Sequence, residues 1–192
     1  MKQRLKKWLV LIMISAFALQ GNGQMAVAYA QDSSYWEEID GTTYPDDRTI
    51  RYDDGDYYIG EYAQDTGYKN GAGEYHCSNG TVITGVWKNN ILFGTAKIVY
   101  KNKEKYYGKM AYDRRNGTGT YWFKNGDKYK GKWRGDRMCG KGTYTWKNKN
   151  YVKGVWKGGK LNGRAELRIG KYIYSIKASK GKLINVYNRR RK

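Results

Sequence analysis

Proline occurs once, histidine once and cysteine twice in a chain of 192 residues. Each scarcity narrows what the protein does. The one histidine, His76, has no carboxylate pair or serine constellation beside it in sequence, so nothing assembles a catalytic site around it. Carboxylates are also few: 17 against 37 lysines and arginines. The densest acidic stretch, Tyr52–Tyr58 (YDDGDYY), lacks the D-x-D-x-D-G spacing of a calcium loop. The long apolar run, Trp8–Leu19 (WLVLIMISAFAL), is too short to cross a bilayer, which takes about 20 residues. No cofactor motif is found.

What the chain has instead is glycine, 25 residues, and tyrosine, 20 residues. They recur at a fixed interval. The aromatic-flanked glycines Gly60, Gly85, Gly108, Gly131 and Gly154 are spaced by 25 and then three times by 23. The Gly-x-Gly element at Gly71, Gly94, Gly117, Gly140 and Gly163 repeats every 23 residues. A phosphate-binding glycine loop is a single event between a strand and a helix. A fixed period of 20 to 50 residues signals a repeat array in which each unit is one supersecondary element. These glycines are therefore architecture.

Inside a unit the apolar period is 2. Gly119, Tyr121 and Phe123 alternate with Thr120, Trp122 and Lys124; after Asn125-Gly126, Tyr129, Gly131 and Trp133 alternate with lysines. Alternation rich in Tyr, Trp, Thr and Val reads as strands, and Asn-Gly between two runs reads as a hairpin turn. A three-residue loop, Lys124-Asn125-Gly126 with the last residue left-handed, gathers the rings on one face and pairs Tyr121 with Tyr129 and Gly119 with Gly131. Lysine stands in the glycine's place in two units, at Lys103 and Lys149. Facing glycines leave a bare patch for a neighbouring ring. One face then carries Tyr58, Tyr62, Trp87, Tyr106, Tyr121, Tyr129, Trp133, Tyr144 and Trp156, in a structural or partner-binding role. The other is expected to be mostly Lys and Thr, with His76 on it.

The pattern Y-x-G-x-W, six residues, then G-x-G-x-Y resembles the MORN (membrane occupation and recognition nexus) repeat over about five units, from Tyr58 to Ile169. Ala96 and Ala165 replace the second glycine, Met110 replaces the aromatic, and the sixth unit keeps almost none of the glycines, as a capping repeat does. The expectation is an all-β fold: an elongated, single-layer antiparallel sheet of tandem hairpins, about five units and ten strands, with degenerate ends. Its ring face has to pack on itself, on a partner or on a ligand. Some MORN proteins associate with phospholipids, which the resemblance makes a candidate here.

Lys2, Arg4, Lys6 and Lys7, the apolar run and then AVAYAQD have the order of a secretory signal peptide cut after Ala30. The chain divides into a signal peptide (1–30), an acidic segment with a partial first hairpin turning at Asp54-Gly55 (31–55), the repeats (56–170), and a degenerate cap with a frayed basic tail, NRRRK (171–192). Exported chains often pair their cysteines. Here Cys77, in the second strand of a hairpin, and Cys139, in a loop about five strands away, stand on the order of 25 Å apart, beyond the ~7 Å a disulfide allows. Two unpaired thiols are expected.

Charge divides along the chain. Residues 31–75 hold 12 acids and 3 bases, net −9; residues 76–192 hold 30 bases and 5 acids, net +25. Such a field attracts anions. An exported protein rarely meets nucleic acid, which leaves anionic lipid headgroups or an acidic cell-surface polymer. The candidate anion-binding row is Lys105, Lys109, Lys128, Lys130, Lys132, Arg134, Lys153 and Lys157. The other candidates are a protein partner, a glycan on the aromatic face, and the acidic segment itself, folded over the basic sheet or docked head to tail on a neighbouring copy. The expected function is that of an exported, non-enzymatic binding or scaffolding module. A purely structural protein is the alternative, and an enzyme of unknown type the remotest.

Overall fold

The structure, a computed structural model, describes residues 48–191. The signal peptide expected at residues 1–30 and most of the acidic segment expected at residues 31–55 lie outside the described residues. Two compact blocks are formed, one within residues 48–124 and one within residues 125–191. The first holds β1 (Thr49–Arg51), β2 (Tyr57–Tyr62), β3 (Lys69–His76), β4 (Val82–Lys88), β5 (Ile91–Val99), β6 (Lys105–Ala111) and β7 (Arg114–Trp122). The second holds β8 (Lys128–Arg134), β9 (Arg137–Thr145), β10 (Tyr151–Lys157), β11 (Lys160–Ile169), β12 (Tyr172–Ser179) and β13 (Lys182–Arg191). Within each block every strand pairs antiparallel with its neighbour in the chain. The all-β architecture of tandem antiparallel hairpins is as the sequence implies.

Two loop types alternate. Three-residue loops close Cys77–Thr81, Tyr100–Glu104 and Trp146–Asn150, and their last residues, Gly80, Lys103 and Lys149, take φ of 85°, 65° and 66°. The two lysines thus accept the left-handed conformation the glycine would have taken, at a cost in strain. The resulting register, with Tyr75 opposite Ile83, Ile98 opposite Tyr106 and Tyr144 opposite Val152, is the one expected. The second loop type is a two-residue turn with both residues at positive φ: Asn89-Asn90, Tyr112-Asp113, Gly135-Asp136 and Gly158-Gly159. These are type I′ turns, whose twist matches that of the strands they join.

The interior is a set of rings laid over glycines. Gly60 faces Gly73, Gly108 faces Gly119 and Gly131 faces Gly142. A Cβ on Gly73, Gly119 or Gly142 would run into the ring of Tyr58, Tyr106 or Tyr129, respectively. The sheet shifts register just beyond each pair. At the shift the tyrosine hydroxyl donates to a main-chain carbonyl three residues on: Tyr58 to Glu61 (2.9 Å), Tyr106 to Lys109 (2.9 Å) and Tyr129 to Lys132 (3.1 Å). One side chain therefore fills the bare patch and hydrogen-bonds a carbonyl beside the irregularity, a group that is costly to leave unpaired when buried. The departures from the motif obey the same rule. Where the tyrosine is Ile83 or Val152, the partner glycine is Ala96 or Ala165.

Staples join each turn to the next hairpin. The residue after a three-residue loop accepts a hydrogen bond from a main-chain N–H about 20 residues on: Asp56 from Ser78 (2.8 Å), Thr81 from Lys101 (3.4 Å), Glu104 from Lys124 (3.0 Å), Asp127 from Lys147 (2.9 Å) and Asn150 from Gly170 (2.8 Å). Asp56, Glu104 and Asp127 also accept from the hydroxyls of Tyr75, Tyr121 and Tyr144 at 2.7–2.8 Å. At the opposite end of the hairpins Asn90 accepts from Lys69 N–H (2.8 Å) and Asp113 from Leu92 N–H (3.0 Å).

The five repeat units supply the ten strands β2–β11, as expected, and β1, β12 and β13 form the ends. Two expectations are corrected. The basic tail is not frayed: Arg189, Arg190 and Arg191 pair with Tyr174, Ile173 and Tyr172 inside β13. Arg189 stacks 4.6 Å from the Tyr172 ring and Arg190 pairs with Glu166 at 3.2 Å, so their charge is used where a tail would leave it in solvent. Cys139 lies within β9, opposite Lys132, and not in a loop, because the type I′ turn lets the strand begin at Arg137. Cys77 falls just past β3, at the base of a loop. Both thiols are unpaired, and burial raises that of Cys77 to a pKa of about 11.

Candidate functional site

The aromatic residues marked out by the sequence form the core. Tyr58, Trp87, Tyr106, Tyr121, Tyr129, Trp133, Tyr144 and Trp156 are all at most 6% exposed, and Tyr62 is half-buried. Burial raises the phenol pKa values of Tyr75, Tyr121 and Tyr129 above the ordinary range. Of the roles open to this face, packing on itself is the one the burial fits. Three contacts are edge-to-face, as ring quadrupoles prefer, Tyr58 to Trp87 and Tyr129 to both Trp133 and Trp156, while others, such as Tyr75 to Trp87 and Tyr144 to Trp156, are tilted.

Each ring cluster is plugged from the start of the following strand. The plugs occur every 23 residues and are Lys69, Leu92, Arg115, Met138 and Leu161. Lys69 points its ammonium into four rings, 5.2 Å from the centroid of Tyr52, 5.9 Å from Tyr58, 5.0 Å from Tyr75 and 5.4 Å from Trp87. Burial there lowers its pKa. Arg115 sits 5.7 Å from the Tyr106 ring and 5.2 Å from that of Tyr121. Both cations are held by π faces, so they belong to the core and not to an anion site.

The outer face is where accessible charge lies. On β8, Lys130, Lys132 and Arg134 are exposed and Lys128 is half-buried; Lys153 and Lys157 are exposed on β10. Pairing aligns Lys130 with Thr143 and Thr143 with Lys153, so charge runs across the strands as well as along them. Lys105 and Lys109 are exposed on β6, in the other block. Sequence reasoning missed Lys141, Arg164 and Lys177, which are exposed on β9, β11 and β12. The signal was present: Lys141 and Arg164 are the middle residue of the repeating Gly-x-Gly element (Gly-x-Ala at Arg164), and alternation turns a residue between two inward small residues outward.

The outer face of the block within residues 48–124 is less uniform than Lys and Thr. Tyr57 stacks on His76 at 4.3 Å, Tyr107 is half-buried, and Trp122 is 41% exposed. His76 does have a carboxylate beside it, Glu74, two residues back on the same face, and Thr84 donates to that carboxylate at 2.9 Å. The threonine hydroxyl is bonded to Glu74 and not to the imidazole, so this is no nucleophile–base pair. Among the described residues no three His, Cys, Asp or Glu side chains cluster as a metal site.

These features define a class: a tandem β-hairpin repeat protein with a closed aromatic core and a charged outer face. The MORN repeat family model matches residues 67–82, 106–128 and 129–151. No curated protein matches the chain. Among solved structures it is similar to the SAS-4 (dCPAP) TCP domain in complex with a proline-rich motif of Ana2 (dSTIL) of Drosophila melanogaster. The identity is 14%, over 72% of this chain and 69% of that one, with a TM-score of 0.40.

Proposed function

We propose that the protein is an exported, non-enzymatic scaffold that engages an anionic partner through its outer lysine face. The partner chemistry is that of phospholipid headgroups or of an acidic cell-surface polymer. One observation carries the reading: residues 125–191 hold 20 bases and 3 acids, net +17, while the alternating ring face of the same strands is buried. Lys128, Lys130, Lys132 and Arg134 follow one another at every second position of β8, a spacing of about 7 Å along a strand. That is a row of point charges, suited to a repetitive polyanion or a charged surface.

The test is co-sedimentation of the mature chain (residues 31–192) with anionic vesicles and, in a second arm, with an acidic polysaccharide, across a salt series. Each base near an anionic surface contributes about 1 kcal/mol, and screening removes about half of it at ordinary salt. Reversing Lys128, Lys130 and Lys132 to Glu is then expected to weaken binding by at least about a hundredfold. The melting temperature stays nearly unaltered, because these side chains point outward. Wild-type binding that ignores salt, or a triple variant that binds as well as wild type, overturns the reading. Binding in neither arm leaves the structural alternative.

A further inference from the structure

On the outer face of β9–β13 lies a groove of ≈ 940 Å³. Its floor is bare backbone at Gly142 and Gly154 with Ala165 beside them, and its walls carry Lys141, Lys153 and Arg164. Two apolar surfaces open into it, Val155 and Tyr187, each 45% exposed, with the Arg164 guanidinium stacked 5.6 Å from the Tyr187 ring. The carboxylate on its wall, Glu166, is already engaged, accepting from the Tyr151 hydroxyl at 2.7 Å and pairing with Arg190 at 3.2 Å. Three cations thus stand around bare backbone and two half-exposed apolar side chains, against the one carboxylate of the groove, Glu166, which also serves Tyr151 and Arg190. A flat lipid surface does not enter a concavity of this kind; an extended chain does.

Complementary chemistry exists in the protein itself. Residues 31–47 (QDSSYWEEIDGTTYPDD) hold six carboxylates, no base, and Tyr35, Trp36, Ile39 and Tyr44. The groove crosses five strands, or about 19 Å at the usual inter-strand spacing. Extended chain advances about 3.3 Å per residue, so about six residues cover that width. The stretch Tyr35–Asp40, YWEEID, supplies three carboxylates and three apolar side chains within six residues. That composition answers the groove's three cations and the apolar surfaces of Val155 and Tyr187.

We propose that the groove binds the acidic segment around Tyr35–Asp40 of a second copy of this chain. The contact is heterologous, segment of one copy to groove of the next. Each added copy brings a further segment and groove, so association continues as an open chain or closes as a ring.

Sedimentation velocity of the mature chain over a concentration series tests this. Wild type is expected to show a mass that rises with concentration at about 0.1 M salt and falls to the monomer at about 1 M, where the Debye length shrinks from ~10 to ~3 Å. A groove variant (Lys141→Glu, Lys153→Glu, Arg164→Glu) and a segment variant (Glu37→Lys, Glu38→Lys, Asp40→Lys) are each expected to be monomeric, with strand content unchanged by circular dichroism. Mixed in equal amounts they retain one intact segment and one intact groove, and are expected to form a 1:1 complex. Wild type that stays monomeric at every concentration, including one that instead takes up polyglutamate in the groove, overturns the proposal. So does a mixture that fails to associate. The vesicle experiment reverses a different set of lysines, so either reading can fail alone.

Discussion

The hairpins β8–β9 and β10–β11 belong to one block, share the 23-residue period and solve the same packing problem differently. In the first, Tyr129 lies across Gly131 and Gly142 and its hydroxyl holds the Lys132 carbonyl. In the second, Val152 takes the tyrosine's place, Ala165 the second glycine's, and a Cβ on Gly154 would meet the Ala165 methyl at 2.7 Å and the Leu161 Cδ1 at 2.9 Å. A ring needs an empty patch; a smaller aliphatic leaves room for a methyl group. What is preserved between the hairpins is the filled volume, as close packing requires. The identity of each residue follows from its partner.

The sharpest way to break this comparison is to put a methyl group where the ring lies. Gly142→Ala is expected to cost about 1–3 kcal/mol by overpacking against Tyr129. Ala165→Gly in the sister hairpin costs about 1 kcal/mol or less, mainly in chain entropy. Pairing Gly142→Ala with Tyr129→Val should recover part of the loss, and denaturant titration of all four states of that cycle measures the coupling. Equal costs for the two single changes, or strict additivity in the cycle, would contradict the ring-on-glycine account.

The staples give a second contrast. Asp127 is 5% exposed and accepts from the Tyr144 hydroxyl and the Lys147 N–H, while Asn150 accepts from the Gly170 N–H. Asp127→Ala removes three hydrogen bonds, from the Tyr144 hydroxyl, the Lys147 N–H and the Asn125 side-chain amide, and is expected to cost about 1–3 kcal/mol; Asn150→Ala removes the one from Gly170 N–H, at about 1 kcal/mol. Thermal melts of the two variants check the order.

The smallest expected effect concerns the Tyr129 hydroxyl, which Val152 lacks. Tyr129→Phe keeps the ring and loses one hydrogen bond, about 0.5–1.5 kcal/mol. Burial raises the Tyr129 phenol in the folded state. The unfolded phenol ionises first, near pH 10, so above that pH the unfolded state binds fewer protons and this contribution to stability declines. The gap between wild type and Tyr129→Phe is therefore expected to narrow between about pH 9 and about pH 11. A gap that widens over that range would contradict the sign.

How much of this was legible depended on whether the relevant contact was local. The period, the strand alternation, the three-residue loop and the pairing register can all be read from residues within one unit, because hairpin geometry is set by turn chemistry over a few positions. The type I′ turns were harder to see. Asn89-Asn90, Tyr112-Asp113, Gly135-Asp136 and Gly158-Gly159 share a conformation without sharing a dipeptide. The staples were missed for another reason: Asp56, Thr81, Glu104, Asp127 and Asn150 differ in charge and size, and their common partner is a main-chain N–H about 20 residues away. The candidate site divides the same way. Alternation on β8 put Lys128 to Arg134 on one face, where Lys130, Lys132 and Arg134 are exposed and Lys128 is half-buried, whereas Lys141 (between Gly140 and Gly142) and Arg164 (between Gly163 and Ala165) were hidden inside an element read as architecture.

Sequence alone therefore determined the all-β repeat, its register and which faces its side chains take, since period-2 alternation and turn residues act at short range. Tertiary structure decided the rest. It closed the ring face on itself, with Tyr58, Tyr106 and Tyr129 buried over glycines of the adjoining strand, and turned Lys69 and Arg115 inward to the rings. It also ordered Arg189–Arg191 into a strand against Tyr172 and Glu166, and opened a basic groove across β9–β13. Each of those outcomes depends on what a side chain meets across a strand boundary, and pairwise packing between strands is a property of the assembled sheet that no single segment carries.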